Sequence, residues 1–367
     1  MSRPQRIVIV NPFGIGDVLF TTPLVRAVRR AFPRAYLAYL CNRRTEEIVR
    51  RNPHLDAFFV YEKDEWLATW RRNRLAGLRD LAALAWRLRR QRFDMVIDLS
   101  LGERYSFLFA LLRVPRRIGF DFRRRGRFLT HRVPLAGYDH QHVIEYYAEL
   151  LGQLGIRLRD GAMELVPVEE DERFVEARLR QLAGGAPRRL IGVIPAGGVS
   201  WGLQADFRRW PEAGFVHVAK ALSERHGAMI LIFGEPRDHA TCAEMAQAVG
   251  LSAVDLSGQT TLGQFVSFVA RCDLVISNDG GPIHIAASQS VHTVSIFGPV
   301  DPRVYGPYPL DGRHRIVARD DLRCRPCYHR FKLPPCPYER ACLTELEPAD
   351  VLAVCEEALS RQAALSS

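Results

Sequence analysis

The segment from Ser277 to Ala286 (SNDGGPIHIA) has residue types and a spacing suited to holding an anion. It follows a short apolar run, Leu274 to Ile276, that predicts a parallel strand buried on both faces. It leads into a predicted helix over 283–288 with Pro282 at its first position, where a missing N–H costs nothing. The N-terminus of such a helix offers unpaired N–H groups and a partial positive charge to a bound anion.

Four residues of this segment are candidates for contacts with a nucleotide diphosphate. Gly280 and Gly281 let the backbone come close to a bound group, and Asp279 and His284 flank them with an acceptor and a titratable donor. Strand, glycine turn and helix in this order hold such a group at the carboxyl end of the sheet in α/β proteins. A glycine turn without a ligand is the alternative that this segment alone leaves open.

A second anion-binding turn is predicted after a strand at 190–194. Small residues follow that strand, and the pair Arg208 and Arg209 comes just before a predicted helix. Either arginine would neutralise a diphosphate, and Ser200 would add a hydroxyl donor. The neighbouring Trp210 is expected in the core.

Asp238 lies shortly after another predicted strand of this half, at 229–233. A carboxylate at the end of such a strand can accept hydrogen bonds from ribose hydroxyls. Asp is also a common helix N-cap, so capping of the following helix is the competing interpretation.

Asp17 is the candidate catalytic residue. It lies behind Gly14 and Gly16 in the loop after the first predicted strand, at 7–10. The glycine spacing is not that of the dinucleotide-binding fingerprint, which weakens a dinucleotide interpretation. A carboxylate in this loop can act as a general base, and the alternative is that Asp17 only caps the next helix.

The positive charge of the chain is concentrated in one stretch. The net charge is +10, and residues 64–132 contain 17 Arg, no Lys and 7 acidic residues, so they account for the whole excess. Such a patch attracts phosphate, and arginine favours bidentate contacts with it. The arginines expected in loops beside a cleft are candidates for binding an acceptor: Arg116, Arg117, Arg123, Arg124 and Arg125.

A long helix is predicted over 65–92, with Trp66, Trp70 and Trp86 among its arginines. A basic amphipathic helix can lie on an anionic membrane surface. Packing of the aromatic rings on the sheet, with solvated arginines, explains the pattern at least equally well.

Four of the eight cysteines fall in a proline-rich loop, as Cys324-x-x-Cys327 followed by Cys336 and Cys342. Four thiols in a reducing compartment fit a tetrahedral structural site for zinc or iron. The spacing after the first pair is irregular, and four reduced thiols are the equal alternative.

Strands and helices alternate through both halves of the 367 residues, which predicts an α/β protein of two domains. The first domain is placed at 1–165 and the second at 166–345, with a polar linker around 157–188. A last helical segment, 346–367, is expected to pack back on the first domain. Two such domains in tandem leave a cleft between them, where ligands usually bind.

Composition excludes several classes of protein. Apolar residues make up 47% and charged residues 25% of the chain, which is typical of a soluble globular protein. No window reaches the ~18 apolar residues of a membrane span, and the N-terminus runs into a strand without a signal-peptide pattern. A cytoplasmic location is expected by default. Aromatic residues are not interleaved with the arginines as in nucleic-acid-binding modules, so no nucleic-acid partner is expected.

Together these motifs resemble glycosyltransferase family 9, the heptosyltransferases that build the lipopolysaccharide inner core. The resemblance covers nearly the whole chain. Its motifs, in order, are Gly14-x-Gly16-Asp17 with Thr22-Pro23, Arg208-Arg209-Trp210-Pro211, the Gly234 turn, Asp279-Gly-Gly-Pro-x-His284 and Phe297-Gly298-Pro299. It implies a GT-B architecture, in which two Rossmann-like domains face a central cleft. The acceptor would bind the N-terminal domain and the sugar nucleotide the C-terminal one. Because the acceptor is a glycolipid, the resemblance also implies peripheral contact with the inner membrane.

The resemblance also implies roles for single residues. Asp17 matches the family's proposed catalytic base. Arg208 stands where a lysine commonly contacts the diphosphate, and Asp238 where a carboxylate holds the ribose. The segment with Asp279, Gly281 and His284 matches the one that grips the diphosphate and the sugar.

Two departures from the family pattern affect these roles. Residues 202–206 lengthen the loop before Arg208, so the choice between Arg208 and Arg209 at the diphosphate stays open. Gly280 stands where the family often has a hydroxyl residue, which removes one phosphate contact.

The expected function is inverting transfer of a heptose, or a related sugar, from an ADP-sugar to an anionic glycolipid of the lipopolysaccharide core or lipid A type. Inversion needs one base and a charge sink for the departing ADP, so no cofactor is expected to be required. One alternative is a GT-B-type sugar-nucleotide epimerase or hydrolase, which would turn over without an acceptor. The other is a non-catalytic, phosphate-binding interaction protein.

Overall fold

The computed structural model describes residues 4–183, 189–197, 199–309 and 311–366. The chain divides into two compact units, Met1–Gly161 and Ala162–Ser367. The division falls a few residues before the boundary predicted at 165.

The first unit is a six-stranded parallel sheet with helices. Its strands are β1 Arg6–Val10, β2 Tyr36–Cys41, β3 Ala57–Val60, β4 Met95–Asp98, β5 Arg116–Phe122 and β6 His131–Leu135. Its helices are α1 Ile15–Leu19, α2 Thr22–Ala31, α3 Glu46–Arg50, α4 Lys63–Arg72, α5 Arg74–Arg90, α6 Glu103–Leu111 and α7 Val143–Gly152, with a 3-10 helix at Arg43–Thr45. The strand order is β3-β2-β1-β4-β5-β6.

The second unit repeats this plan. Its strands are β7 Leu190–Ile194, β8 Met229–Ile232, β9 Ala253–Asp255, β10 Leu274–Asn278, β11 His292–Ile296 and β12 His314–Val317. Its helices are α8 Glu169–Ala183, α9 Glu212–His226, α10 His239–Val249, α11 Leu262–Val269, α12 Gly281–Ser288, α13 Pro302–Tyr305, α14 Ala341–Thr344 and α15 Pro348–Ser366, with 3-10 helices at Val199–Arg208 and Pro236–Asp238. Read from the opposite edge, the strand order is β9-β8-β7-β10-β11-β12.

Both sheets reverse their strand order at one place, between β1 and β4 in the first unit and between β7 and β10 in the second. The connections leave these strand pairs in opposite directions, so a crevice opens at their carboxyl ends, where doubly wound proteins bind ligands. The predicted α/β class with two Rossmann-like domains is confirmed. Short apolar runs in the sequence predict eight strands, and all are present: 7–10, 36–40, 57–60, 95–99, 190–194, 229–233, 274–277 and 293–297. The strands β5, β6, β9 and β12 are additional.

The long helix predicted over 65–92 is two helices, α4 and α5. The helix is interrupted at Asn73, whose backbone is extended. The Asn73 side chain accepts a hydrogen bond from the backbone N–H of Ala76 and so caps α5. The two helices can pack closely because Gly77 has no side chain; a Cβ there would lie only 2.9 Å from the Trp70 ring. The Trp66 indole donates to the Gly77 carbonyl over 2.9 Å, which fixes the hairpin.

The last helix, α15, packs within the second unit, against α9 and the strands β10, β11 and β12. Its additional packing on the first domain stays a prediction. Its apolar face supplies Val351, Cys355 and Leu359, each at most 1% exposed, to the core of that unit. The helix covers a sheet face that would otherwise expose apolar strand residues to water.

Candidate active site

The loop after β1 is held rigidly by two asparagines that the sequence analysis did not single out. Asn11, fully buried, donates from Nδ2 to the Asp17 carbonyl over 3.1 Å and accepts the Phe13 N–H over 3.0 Å. Asn42 donates to the Pro12 and Phe13 carbonyls over 2.9 and 2.8 Å. The sequence signal that could have indicated Asn11 is an amide residue placed directly after the apolar run at 7–10.

Asp17 is the third residue of α1 and is half-buried. Its Oδ2 accepts the N–H of Gly14 over 3.1 Å, so the carboxylate caps its own helix. The capping interpretation therefore describes what Asp17 does in this structure. A carboxylate has acceptor positions beyond one capping bond, so its role as general base stays a prediction.

Three buried tyrosines lie near Asp17. Burial raises the pKa values of Tyr39, Tyr138 and Tyr147, and the negative charge of Asp17 raises each of them further. The Tyr39 hydroxyl pairs with that of Thr21 over 2.8 Å. These phenols stay protonated at neutral pH, so among these side chains Asp17 is the one suited to accept a proton.

Asp98, the last residue of β4, is a second acid at this switch point. It pairs with Val10 of β1 and is 3% exposed. Its Oδ1 accepts the Ser100 N–H over 3.0 Å, while its Oδ2 has no hydrogen-bond partner among the described residues. Burial raises the pKa of Asp98 to about 6. The sequence analysis missed it because it sits inside an apolar strand pattern.

The arginines proposed for the acceptor separate into two groups. Arg116 and Arg117 are not in a loop; they begin β5, where they pair with Met95 and Val96 of β4. In a parallel sheet this is the amino edge, opposite to the edge that carries Asp17, so their predicted placement is wrong.

Arg117 also donates to the Phe128 and Val114 carbonyls, so it serves the local structure. The other three arginines, Arg123, Arg124 and Arg125, follow the carboxyl end of β5 and are exposed. Arg123 lies over the ring of Phe122, 4.7 Å from its centroid. These three remain candidates for the acceptor because they belong to the same sheet edge as Asp17.

In the second unit, Asn278 at the end of β10 ties the switch point together. Its Oδ1 accepts the Trp210 N–H over 2.8 Å, and its Nδ2 donates to the Pro195 carbonyl over 2.6 Å. Trp210 is 2% exposed, which confirms its predicted place in the core. Asn278 thus fixes the arginine turn against the ends of β7 and β10, a role that the sequence analysis did not assign.

Asp279 follows immediately and forms a buried ion pair. Its Oδ2 lies 2.5 Å from Nη2 of Arg208, and the two side chains are 1% and 11% exposed. Burial raises the pKa of Asp279, and the Arg208 charge opposes that rise. Arg209 instead donates from Nε and Nη2 to the Gly197 carbonyl, over 3.1 and 3.0 Å. This arrangement favours Arg208 over Arg209 as the arginine that meets a bound anion.

The helix predicted after Asp279 is confirmed. Gly280 is the N-cap of α12, and Gly281 and Pro282 are its first residues. His284 lies on its first turn and is 4% exposed. The buried ion pair therefore stands directly before a helix N-terminus, where N–H groups and the helix dipole favour an anion.

Asp238 is engaged in its own turn. Its Oδ2 accepts the Glu235 N–H over 2.9 Å, in a reciprocal cap around the 3-10 helix Pro236–Asp238. Asp238 therefore caps its own turn in this structure, and its contact with a ribose stays a prediction. Ser200, the remaining candidate, is among the residues whose side chains lie outside the description.

The four clustered cysteines are free thiols, exposed at Cys324 and half-buried at the others. Among the described residues no three metal-ligating side chains are grouped closely enough to share an ion. Burial raises the pKa of Cys342 to about 11, which keeps that thiol protonated in this arrangement. The arrangement does not fit a metal as it stands, and a zinc or iron site remains a prediction from the sequence.

Comparisons with known proteins agree with this geometry. The family model for glycosyltransferase family 9 (heptosyltransferase) matches residues 81–336. A lipopolysaccharide heptosyltransferase 3 of Escherichia coli is 25% identical, over 84% of this chain and 90% of its own length.

Two solved structures share the fold. A family 9 glycosyltransferase from Veillonella parvula has a TM-score of 0.81 at 24% identity, covering 98% of this chain and 99% of its own. The E. coli heptosyltransferase WaaC with ADP-2-deoxy-2-fluoro heptose has a TM-score of 0.69 at 18% identity, covering 96% and 99%. In the part of the chain that the structure describes, no helix is both long and apolar enough to span a bilayer.

Proposed function

We propose that this chain, which belongs to glycosyltransferase family 9 (heptosyltransferase), transfers a heptose from ADP-heptose to a lipopolysaccharide core acceptor. The transfer inverts the configuration at the sugar carbon. The chain is a glycosyltransferase by its family. The observation that carries the donor assignment is the Arg208–Asp279 pair before the N-terminus of α12. The E. coli relatives named as lipopolysaccharide heptosyltransferases support the choice of sugar and acceptor.

In this proposal the second unit holds the ADP moiety. The N–H groups at the start of α12 and the guanidinium of Arg208 receive the diphosphate charge that develops as the sugar leaves. Because Arg208 is already nine-tenths buried against Asp279, it is ordered before the donor arrives. An ordered cation loses little side-chain entropy on binding. A divalent ion has no assigned part in this scheme.

Asp17 acts as the general base on the acceptor hydroxyl. Its carboxylate takes the hydroxyl proton while the new oxygen–carbon bond forms on one face of the sugar carbon. The bond to the diphosphate breaks on the opposite face, and ADP leaves with the electron pair. The buried tyrosines near Asp17 keep their protons, so they do not compete for that of the acceptor.

The acceptor is an anionic glycolipid in this proposal, and Arg123, Arg124 and Arg125 bind its phosphates. They are exposed at the carboxyl edge of the first sheet, and arginine pairs with phosphate through two parallel hydrogen bonds.

The test is ADP release from ADP-heptose with and without a lipid A-type core acceptor. Transfer predicts release that depends on the acceptor. Equal release without acceptor would identify a hydrolase, and conversion of the donor without ADP release would identify an epimerase. ADP binding without any turnover would favour the phosphate-binding protein.

A further inference from the structure

The first unit exposes an unusual concentration of large apolar side chains. Eleven are exposed among the described residues, and six of them lie on α5 and α6. Leu75 is 78%, Trp86 58% and Leu111 65% exposed. Single exposed leucines are common, but apolar residues gathered on neighbouring helices mark an interaction surface.

On α5 the exposed residues form a stripe. Leu75, Leu78, Ala82 and Trp86 follow one another at intervals of three or four residues and are all exposed. At about 100° per residue they share one side of the helix. The buried residues Leu84 and Leu88 lie about 180° away, against the core. Gly77 lies on the same side, against Trp70 of α4. The stripe is therefore an apolar face additional to the one that packs the helix on the sheet.

Arginines lie along one side of this stripe and within it. By the same helical spacing, Arg79 and Arg90 lie about 20° and 40° beyond Trp86, while Arg89 falls in angle between Leu78 and Ala82, near the C-terminal end of the stripe. All three are exposed, and the Arg90 guanidinium lies 4.7 Å from the Trp86 ring centroid. Asp80 is the single acidic residue of α5 against five arginines.

Helix α6 continues the surface. Phe107 and Leu111, one turn apart, are exposed, while Phe109 between them is buried. Phe109 belongs to the same core cluster as Leu84 and Leu88 of α5, so both helices cover the same face of the sheet. The outward residues of the two helices thus belong to one side of the first unit.

We propose that this surface, the α5–α6 face formed by Leu75, Leu78, Ala82, Trp86, Phe107 and Leu111, rests on an anionic phospholipid bilayer. An apolar stripe with Trp at one end and long arginine side chains beside and within it is how an interfacial helix inserts its apolar side and keeps its charges at the headgroups. The arginine excess matches the negative surface of such a bilayer. The inference rests on the proposed function in one respect: a glycolipid acceptor is itself held in a membrane.

The test is sedimentation of the full chain with vesicles of phosphatidylcholine alone and with phosphatidylglycerol added. Wild type should bind the anionic vesicles and bind the neutral ones much less. The variant Leu75→Gln/Leu78→Gln/Trp86→Gln should lose at least about tenfold in partitioning. Replacing Arg79, Arg89 and Arg90 with glutamine should lower partitioning onto anionic vesicles about fivefold for each arginine replaced. Matched controls are Leu251→Gln and Arg271→Gln, both exposed in the second unit, which should bind as wild type does.

Three outcomes would overturn the proposal. The first is wild-type vesicle binding by the triple-glutamine variants at unchanged melting temperature. The second is binding that does not depend on anionic lipid. The third is a lipid-free dimer that these variants dissociate, which would make the face a contact between copies. Transfer to a detergent-dispersed acceptor should stay at the wild-type rate in all variants, so failure of the membrane proposal is distinguishable from failure of the proposed function.

Discussion

The switch points of the two units share one strand order but treat their buried acids differently. Asp279, after β10, has an arginine 2.5 Å away, whereas Asp98, at the end of β4, accepts a hydrogen bond from Ser100 and has no ion-pair partner among the described residues. An opposite charge stabilises a buried carboxylate, whereas burial without one raises the pKa of the acid. The second unit thus keeps a cation ready for an anionic ligand. The first unit raises the pKa of its deep acid to about 6, with no cation beside it in the described part of the chain, and leaves the half-buried Asp17 as the carboxylate of its loop.

The largest effect is expected from Asp17→Asn. The amide keeps the size of the side chain and an oxygen for the cap to Gly14, but it cannot accept a proton. Loss of a general base should lower kcat by about 10²–10⁴-fold. Affinity for ADP and the melting temperature should change little, since the donor belongs to the other unit. Near-normal turnover, or loss of activity only through unfolding, would make Asp17 a helix cap and nothing more.

A substitution at Asp98 tests the acid that has no ion-pair partner in the residues that the structure describes. Its folded pKa of about 6 lies above the ordinary 3.8, so the folded state binds the proton more tightly. Its contribution to stability is therefore complete below about pH 4 and is lost as pH rises through about 6.

Asp98→Asn should remove this slope and raise the free energy of unfolding at alkaline pH, by up to about 3 kcal/mol. Urea unfolding of both proteins across this pH range measures the difference. Equal pH slopes in the two proteins would show that folding does not raise the pKa of Asp98.

Arg208→Gln tests the buried ion pair of the second unit. The loss of a charge-assisted contact to the diphosphate should weaken ADP binding at least about tenfold. It should also lower stability, because Asp279 is left buried without its partner. The double variant Arg208→Gln/Asp279→Asn restores neutrality and should recover stability but not ADP affinity.

Arg209→Gln is the matched control for this experiment. Arg209 braces the Gly197 carbonyl rather than the start of α12, so its loss should reduce ADP affinity less than that of Arg208. A larger loss in Arg209→Gln would exchange the two assignments. Calorimetric titration of ADP at a temperature where all variants are folded gives the answer.

A smaller effect separates the acceptor arginines. Arg124→Gln/Arg125→Gln at the carboxyl edge of the first sheet should raise the acceptor KM several-fold with little change in kcat, because exposed ion pairs are individually weak. Arg116→Gln, at the opposite edge, should leave the acceptor KM unchanged. Equal effects of the two changes would contradict the division between the sheet edges.

The cysteine cluster lies outside this comparison, and a metal ion bound there should not affect turnover. If Cys324, Cys327, Cys336 and Cys342 share one zinc or iron ion, elemental analysis of protein purified without an affinity metal should find about one per chain. Cys327→Ser should then lower the metal content and the melting temperature. No metal together with four titratable thiols would establish reduced cysteines.

The sequence predicts the central strands well because each is an apolar run buried on both faces. It misses β5 and β6, since β5 starts with Arg116 and Arg117 and β6 is largely exposed, so neither has an apolar run. The break at Asn73 was missed because helical periodicity continues across it, and only the cap and the Gly77 packing reveal it.

Motif spacing indicated Asp17, Asp279 and the start of α12, but not the pairing of their side chains. The choice of Arg208 over Arg209 depends on a contact with a residue 71 positions away in the chain. Asn278 is another case, because its hydrogen bonds connect three segments that are distant in sequence. Such contacts follow from the folded sheet and not from local pattern.

The central claim is a direct, inverting transfer in which one base serves the acceptor and the other unit holds the nucleotide. The most direct measurement is the mass of a lipid A-type acceptor after incubation with ADP-heptose, together with the anomeric configuration of the transferred sugar by NMR. The account predicts an acceptor heavier by one heptose, linked with the configuration opposite to that in the donor. An unchanged acceptor with free heptose in solution, or a product that retains the donor configuration, would contradict it.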